Sequence, residues 1–489
     1  MFFRLVYDDM LAQAAYLIGC QRTGEAIVID PERDVDRYLR LAQAEQLHIV
    51  AVAETHIHAD FLSGARELAE LTSARVHVSG EGGPGWQYGW LESRSGGGPY
   101  AHQVLRDGDV FHVGNIEFRA VHTPGHTPEH LCYLVTDRGS GADEPMGILT
   151  GDCVFVGDVG RPDLLETAAG VAGGTEEAAR ALHRSLGKFG ALPEYLQVWP
   201  AHGAGSACGK ALGAVPQSTV GYEKRRNPAL LAAGATQAKF LEYILEGQPE
   251  PPLYFGRMKR QNRDGPAVLG DVAMPRRLKA GEIAGMDAGT IVLDARPWPQ
   301  FKAGHLPGAL HTPMGPNFIP VAGSYITDDK AELCLVAEPE RVETALRGLV
   351  RIGLDGLRSF ITPGELAAFR AGGGCLETAP EIDVGAMRER IAGGRGERGE
   401  RGGRGPLVLD VRRAEEHRAG RVEGALNIAH TRLAGRLREL PKDRPILVHC
   451  QGGVRSAYAT ALLRREGFDA TNIAGGFGAW EGAGFEVVR

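Results

Sequence analysis

The chain has 489 residues, 43% of them hydrophobic, with 54 Lys and Arg against 61 Asp and Glu for a formal net charge of −7. That length exceeds what one hydrophobic core organises, so roughly two to four domains are expected. The acidic balance excludes nucleic acid and anionic membrane as partners drawn by bulk charge. No apolar run reaches transmembrane length, and Asp8 and Asp9 fall where a signal peptide would carry its apolar segment, so a cytoplasmic protein is expected. The seven cysteines (Cys20, Cys132, Cys153, Cys208, Cys334, Cys375 and Cys450) are scattered and never form Cys-x-x-Cys. Neither a disulfide framework nor a structural zinc knuckle is expected, and the compartment reads as reducing.

In chain order, Phe2–Val6 and Ala14–Cys20 read as an opening pair of strands, Glu25–Asp30 as a third, and Val35–Ala42 as a helix. His48–Ala53 is a further apolar strand, and Gly64–Leu71 has helical apolar spacing. Between them lies Glu54-Thr55-His56-Ile57-His58-Ala59-Asp60-Phe61, a strand-to-helix turn bearing two imidazoles and a carboxylate at alternate positions. Side chains so placed can converge on one ion. Three more strands end on a residue of the same kind. Val121-His122-Thr123-Pro124-Gly125-His126 presents His126 from a tight Pro-Gly turn, Leu149-Thr150-Gly151-Asp152 ends on a carboxylate, and Trp199-Pro200-Ala201-His202 ends on a histidine. These spacings are too wide for a zinc finger. They point to a catalytic metal centre assembled from loops at one edge of layered sheets.

Taken together, Thr55-His56-Ile57-His58-Ala59-Asp60, Thr123-Pro124-Gly125-His126, Gly151-Asp152 and Pro200-Ala201-His202-Gly203 resemble the metallo-β-lactamase superfamily over about the first 235 residues. The resemblance implies an α/β fold, an αββα sandwich. Two-metal members carry a histidine after the aspartate, where this chain has Phe61, and a phenyl ring has no lone pair to give. One metal on His56, His126 and Asp152 therefore suits the chain better than two, and two imidazoles plus one carboxylate suit Fe(II). This combination resembles the persulfide dioxygenase branch, whose members use a single iron to oxidise a low-molecular-weight persulfide to sulfite. The resemblance implies one Fe(II) per chain, with Zn as the alternative. It leaves His58, Asp60 and His202 as groups that orient the ligands and hydrogen-bond bound water or oxygen, His58 being a direct ligand in zinc members. Arg161 is either a clamp for a substrate carboxylate or a loop partner of Asp158 or Asp163. Cys208, with Lys210 two residues on, is a candidate for touching substrate sulfur through a lowered thiol pKa, against the simpler reading of a packed cysteine. The loop after His202 lacks the Asp-Tyr of glutathione-using members, which leaves glutathione, coenzyme A or a similar thiol as carrier.

After a helix ending near Leu245, Gly247-Gln248-Pro249-Glu250-Pro251-Pro252 opens a proline-rich connector. The expected domains are 1–246, a linker 247–267, then 268–374 and 375–489. The last two are copies of one unit. Leu293-Asp294-Ala295-Arg296 recurs as Leu409-Asp410-Val411-Arg412, and Gly304 to Ala309 recurs as Gly420 to Ala425, at a constant offset of 116 residues. A Gly-, Arg- and Glu-rich run from Gly393 to Gly405 reads as a flexible insertion. In the second copy, the strand ending at His449 leads into Cys450-Gln451-Gly452-Gly453-Val454-Arg455-Ser456 and an apolar helix. Such a cysteine faces a ring of backbone N–H groups, the helix N-terminus and Arg455, which together favour a thiolate and cradle an anion such as sulfite. This segment, with Asp410-x-Arg412 and Gly475-Gly476-Phe477-x-x-Trp480, resembles a rhodanese sulfurtransferase with Cys450 as persulfide-carrying nucleophile. The four residues between Cys450 and Arg455 make a tighter loop than the Cys-x5-Arg of related phosphatases. The first copy has Glu338-Pro339-Glu340 at the corresponding loop and Cys334 within its strand, so it reads as catalytically inactive.

The expected activity joins both ends. The first domain oxidises a small thiol persulfide with O2 to sulfite, and Cys450 passes a sulfane sulfur to sulfite to form thiosulfate. The competing readings are a two-zinc thioester hydrolase resembling hydroxyacylglutathione hydrolase, and a non-catalytic persulfide carrier. A homo-oligomer is expected.

Overall fold

Strand alternation builds the first half of the molecule. Along Gln13–Cys20, buried throughout, Ala14, Tyr16 and Ile18 face one side and Ala15 and Leu17 the other. The computed structural model describes residues 1–167, 173–395 and 405–489. They form two units, Met1–Val272 with Val350–Gly353, and Ala273–Leu349 with Leu354–Arg489. Among the described residues, no helix is long and apolar enough to cross a membrane.

In the first unit, Phe2–Asp8, Gln13–Cys20, Glu25–Ile29, His48–Ala53, Arg75–Ser79 and His102–Leu105 make one six-stranded sheet in sequence order. A second six-stranded sheet runs Ser218–Thr219, Gln197–Pro200, Gly147–Gly151, Leu131–Asp137, Ile116–His122 and Val110–Val113. Tyr16, Ile18, Ile27, Phe118, Tyr133, Leu149 and Trp199 pack between the sheets. Leu17, Val28 and Val52 meet Tyr38 and Leu68 of the helices outside the first sheet, while Ile148 and Val198 meet Leu182, Leu186 and Phe240 outside the second. The layering is the expected αββα sandwich. Each fully buried aliphatic or aromatic side chain contributes about 1.5–3 kcal/mol, so this double-sided burial holds the strand ends in place.

Those ends meet at one edge. Gly147–Gly151 and Gln197–Pro200 run parallel, and the Ala201 N–H donates to the Gly151 carbonyl at 3.1 Å. The Tyr16 hydroxyl donates to the Pro200 carbonyl at 2.7 Å, and the Leu131 N–H donates to the Thr55 carbonyl at 2.8 Å, tying the two sheets together.

The expected linker 247–267 is corrected. Phe255–Asp264 is a helix of the first unit, with Phe255, Met258, Lys259 and Asn262 buried. Their spacing follows one helical face, but two of the four residues are polar, and the prolines just upstream hide the pattern.

The second unit contains two five-stranded sheets of the same order. One is Arg276–Arg277, Leu357–Ile361, Leu333–Val336, Ile291–Asp294, Leu310–His311, and the other Glu381–Ile382, Ala470–Ile473, Ile446–His449, Leu407–Asp410, Leu426–Asn427. Asp294 pairs with His311 where Asp410 pairs with Asn427, so the sequence repeat is a repeat of topology. Most of the Gly-, Arg- and Glu-rich run, residues 396–404, lies outside the described residues.

His311 is 2% exposed between Trp298 and Phe301, and burial pushes its imidazole from the usual 6.5 down to about 3. The unfolded chain takes up this proton near pH 6.5 and the folded chain resists it, so protons favour unfolding. Stability of the second unit is therefore present above pH 6.5 and is lost as pH falls toward 3. Urea melts at stepped pH should give a shallower decline across that window for His311→Phe than for the native chain.

Candidate metal centre and thiol loop

Three donor atoms converge where the strand ends of the first unit meet. His56, His126 and Asp152, all buried, each present an atom within 4.8 Å of the others. Each ring is fixed through its far nitrogen. The His126 Nδ1–H donates to the Arg161 carbonyl at 3.1 Å. His56 Nδ1 lies 2.9 Å from the Thr55 hydroxyl, which itself donates to Asp30 at 2.9 Å, so the relay puts the proton on Nδ1. Both Nε2 lone pairs are thereby left for the site. The Asp152 N–H donates to His130 Nε2 at 3.0 Å, while His130 Nδ1 is held by Thr123 at 2.8 Å. Gly151, at φ +49°, makes this possible: a Cβ there would sit 2.6 Å from His130 Nε2 and 2.7 Å from the Thr55 hydroxyl.

Burial lowers the His56 pKa, with His58 and His126 adding to the effect, and lowers that of His126, with His130 and Lys259 adding. Both rings are thus neutral, lone-pair-bearing imidazoles. Burial raises the pKa of Asp152, and among the described residues neither of its side-chain oxygens has a hydrogen-bond partner. His126 Nε2 stands 3.4 Å from Asp152 Oδ2. Lone pairs facing one another in a dry pocket call for a cation between them, and this donor set fits a single divalent metal with open positions.

His58 has a different place. Its Nε2 faces Asp30 at 3.2 Å and Glu54 at 3.1 Å, and it groups with those two carboxylates rather than with His56, His126 and Asp152. Burial opposes its charge, but Asp30 and Glu54 outweigh it and hold the pKa well above the ordinary value. Phe61, fully buried, lays its ring 4.4 Å from that of His58. Asp60 and His202 stand on the other side of Asp152. The His202 Nδ1–H donates to the Ala12 carbonyl at 3.1 Å, leaving Nε2 at 3.3 Å from Asp60 and 3.4 Å from Asp152.

Arg161 and Cys208 each carried two readings from the sequence, and the structure shows what surrounds them. Arg161 does not offer its fork to a ligand: Nε and Nη2 donate to Asp163 at 2.8 and 2.6 Å, Nη1 donates to the Ala207 carbonyl at 3.1 Å, and the residue is 1% exposed. Asp163 is only two residues away and fills the fork first. Cys208 joins Asp60 and His202 in a second group of donors within 4.8 Å, but burial, with Asp60 and Asp152, pushes its thiol well above the ordinary value. Lys210 does not lower it, because its ammonium donates to the Tyr243 carbonyl.

Sequence reasoning missed the helix Phe255–Asp264 as a wall of this site. The Asn262 amide donates to the His58 and Phe61 carbonyls at 2.8 and 2.7 Å, and its oxygen accepts from the Ser63 N–H at 2.9 Å. One turn earlier, Lys259 is 8% exposed, with Nζ 3.9 Å from the centre of the Trp86 ring. Burial lowers its pKa to about 8 against the opposing pull of Glu129. Only the helical spacing of residues 255, 258, 259 and 262, two apolar and two polar, could have signalled the helix.

In the second unit, Cys450 is 1% exposed at the end of strand Ile446–His449. Its sulfur accepts from the Gly453 N–H at 3.1 Å and from the Ser456 hydroxyl at 3.5 Å, and the helix Val454–Arg465 starts one residue later. Gln451, Gly452 and Val454 are exposed around it. The Phe477 and Gly478 N–H groups donate to the Cys450 and Gln451 carbonyls at 2.7 and 2.9 Å. Gly476 must be glycine, since a Cβ would fall 2.2 Å from the Cys450 carbonyl oxygen. Arg455 pairs through both terminal nitrogens with Glu416 at 2.7 Å, which holds the guanidinium pKa above its ordinary value, with Cys450 adding to the effect. In the first copy, burial raises the Cys334 thiol to about 11 in mid-strand.

The metallo-beta-lactamase superfamily profile matches residues 9–202, and the rhodanese-like domain profile matches residues 398–483. A beta-lactamase hydrolase-like protein of Xylella fastidiosa is 30% identical over 256 residues, covering 48% of this chain, and the chain spans only 53% of that relative's length. A crystal structure of a metallo-beta-lactamase from Staphylococcus aureus is 40% identical, covering 74% of this chain and 99% of its own, with a TM-score of 0.67. That of ETHE1 from Myxococcus xanthus is 28% identical, covering 54% and 98%, with a TM-score of 0.42.

Removing the Asn262 side chain orphans two buried carbonyls and one N–H of the ligand-bearing turn. Asn262→Ala should lower unfolding stability by about 2–3 kcal/mol and speed loss of bound metal to a chelator, read by denaturant melts and timed metal analysis.

Proposed function

The chain belongs to the metallo-beta-lactamase superfamily and carries a rhodanese-like domain, and on that premise we propose that it is a persulfide dioxygenase coupled to a thiosulfate-forming sulfurtransferase. One observation carries the reading. His56, His126 and Asp152 form a three-donor group around unpartnered carboxylate oxygens, while Phe61 fills the position where two-metal members place a further nitrogen. Bound there, ferrous iron supplies a site at which dioxygen and a persulfide react together. The overall change balances as RSSH, O2 and H2O giving RSH, sulfite and two protons. His56 and His126 are held neutral for the ion, and Asp152 supplies the negative charge. Asp60 and His202 place a carboxylate oxygen and a ring nitrogen beside Asp152, where they can take the released protons.

Cys450 performs the second step. Its thiolate attacks the outer sulfur of the small persulfide RSSH, whose S–S bond breaks to release the carrier thiol, and sulfite then attacks the outer sulfur of the Cys450 persulfide so formed. The S–S bond breaks, thiosulfate leaves, and the electron pair returns to the Cys450 sulfur. The Gly453 N–H and Ser456 hydroxyl receive that charge, and the Gln451–Val454 loop at the helix N-terminus cradles the anion. Small thiol persulfides, O2 and sulfite are the proposed partners.

A second reading draws on the convergence of Asp60, His202 and Cys208, which could hold a second ion and so favours a two-zinc thioester hydrolase. Metal analysis of anaerobically purified protein separates the two. About one iron per chain with O2 uptake and sulfite release is expected, whereas two zincs with thioester cleavage and no O2 uptake would overturn the dioxygenase reading. Cys450→Ser should abolish thiosulfate formation and leave O2 consumption within about twofold of the native rate. Loss of both activities would sink the two-site scheme.

A further inference from the structure

A largely buried lysine lies next to the elements that carry the metal-site donors, with no hydrogen-bond or ion-pair partner among the described residues. Lys259 lies one helical turn before Asn262, on the same face, and Asn262 grips the His58 and Phe61 carbonyls of the ligand-bearing turn. The Lys259 ammonium sits over the face of Trp86 at 3.9 Å, and the residue is 8% exposed. Among the described residues it has no hydrogen-bond or ion-pair partner. The carboxylate that acts on it, Glu129, accepts from the Ile57 N–H through Oε1 at 2.8 Å, and among the described residues its Oε2 has no hydrogen-bond partner and does not reach the ammonium. Lys259 is also close enough to be felt electrostatically at His126. A cation largely withdrawn from water, with a ring face against it and no acceptor bonded to it among the described residues, gains from an incoming anion. Arg161, the cation that the sequence offered for this purpose, is occupied by Asp163.

We propose that Lys259 is the carboxylate-binding residue of the metal pocket, receiving the acidic end of the thiol that carries the sulfur. The proposal deepens the dioxygenase reading and rests on it for the identity of the substrate. Trp86 covers one side of the ammonium and leaves its positive charge for an anionic acceptor such as a carboxylate, so neutral or cationic carriers gain nothing from the site. Lys259 acts through substrate binding and its charge selects among carriers.

Calorimetric titration of the metal-loaded full chain with S-methyl-N-acetylcysteine and with its methyl ester tests this without turnover. The acid should bind the native protein about tenfold or more tighter than the ester, a difference of about 1.4 kcal/mol. Lys259→Met should weaken acid binding to the level of the ester and leave ester binding unchanged, while Lys259→Arg should keep the preference. Equal binding of acid and ester by the native chain, or no binding of the acid, overturns the proposal without any variant. So does a preference that survives in Lys259→Met, or an equal loss of both ligands in that variant. Should the acid preference stand while sulfite formation fails, the dioxygenase reading falls and the recognition role of Lys259 remains.

Discussion

The first unit turns on an electrostatic requirement: Asp152 is fully buried, and among the described residues neither carboxylate oxygen has a hydrogen-bond donor. Such a group is expensive to bury unless a positive charge meets it. The two rings grouped with it do not provide one, because His56 and His126 are themselves held neutral by burial. What they provide are lone pairs, aimed by hydrogen bonds on the far side of each ring. The arrangement makes physical sense as a cation site and as little else.

Around that site the polar groups have separate tasks, and burial alone does not assign them. His58 has the same local sequence environment as His56, yet it is paired with Asp30 and Glu54 and becomes a positive group under the turn. His130 supports Asp152 from below through its backbone N–H. Asn262 fixes the carbonyls of the turn from a distant part of the chain. Each of these contacts spends a potential ligand or donor on geometry, which is how a few loop residues hold metal donors to within a fraction of an ångström.

The thiol loop solves the opposite problem. In the proposed transfer Cys450 carries negative charge and passes sulfur on, and the groups around it are N–H and O–H donors in place of a metal: the Gly453 N–H and Ser456 hydroxyl on its sulfur, with Gly476 allowing the neighbouring backbone to close against the loop. The two chemistries are linked by their reactants, since sulfite is a product of one proposed reaction and an acceptor in the other.

Much of this was legible from residue order. Strand alternation, four strand ends bearing His or Asp, a repeated Asp-x-Arg at fixed offset and a cysteine opening a glycine-rich loop are local patterns, and local patterns follow from backbone periodicity and turn chemistry. They sufficed for the αββα layers, the topological repeat, the His56–His126–Asp152 group and the Cys450 loop. The fates of Arg161, Cys208, Lys210 and Lys259 were settled by which partner lies nearest in three dimensions, and the helix Phe255–Asp264 was recruited to the metal site from 200 residues downstream of the turn it grips. A sequence shows which groups can carry charge. Only the packed chain decides which of them are already neutralised, and that balance follows from long-range burial and pairing, which residue order does not display.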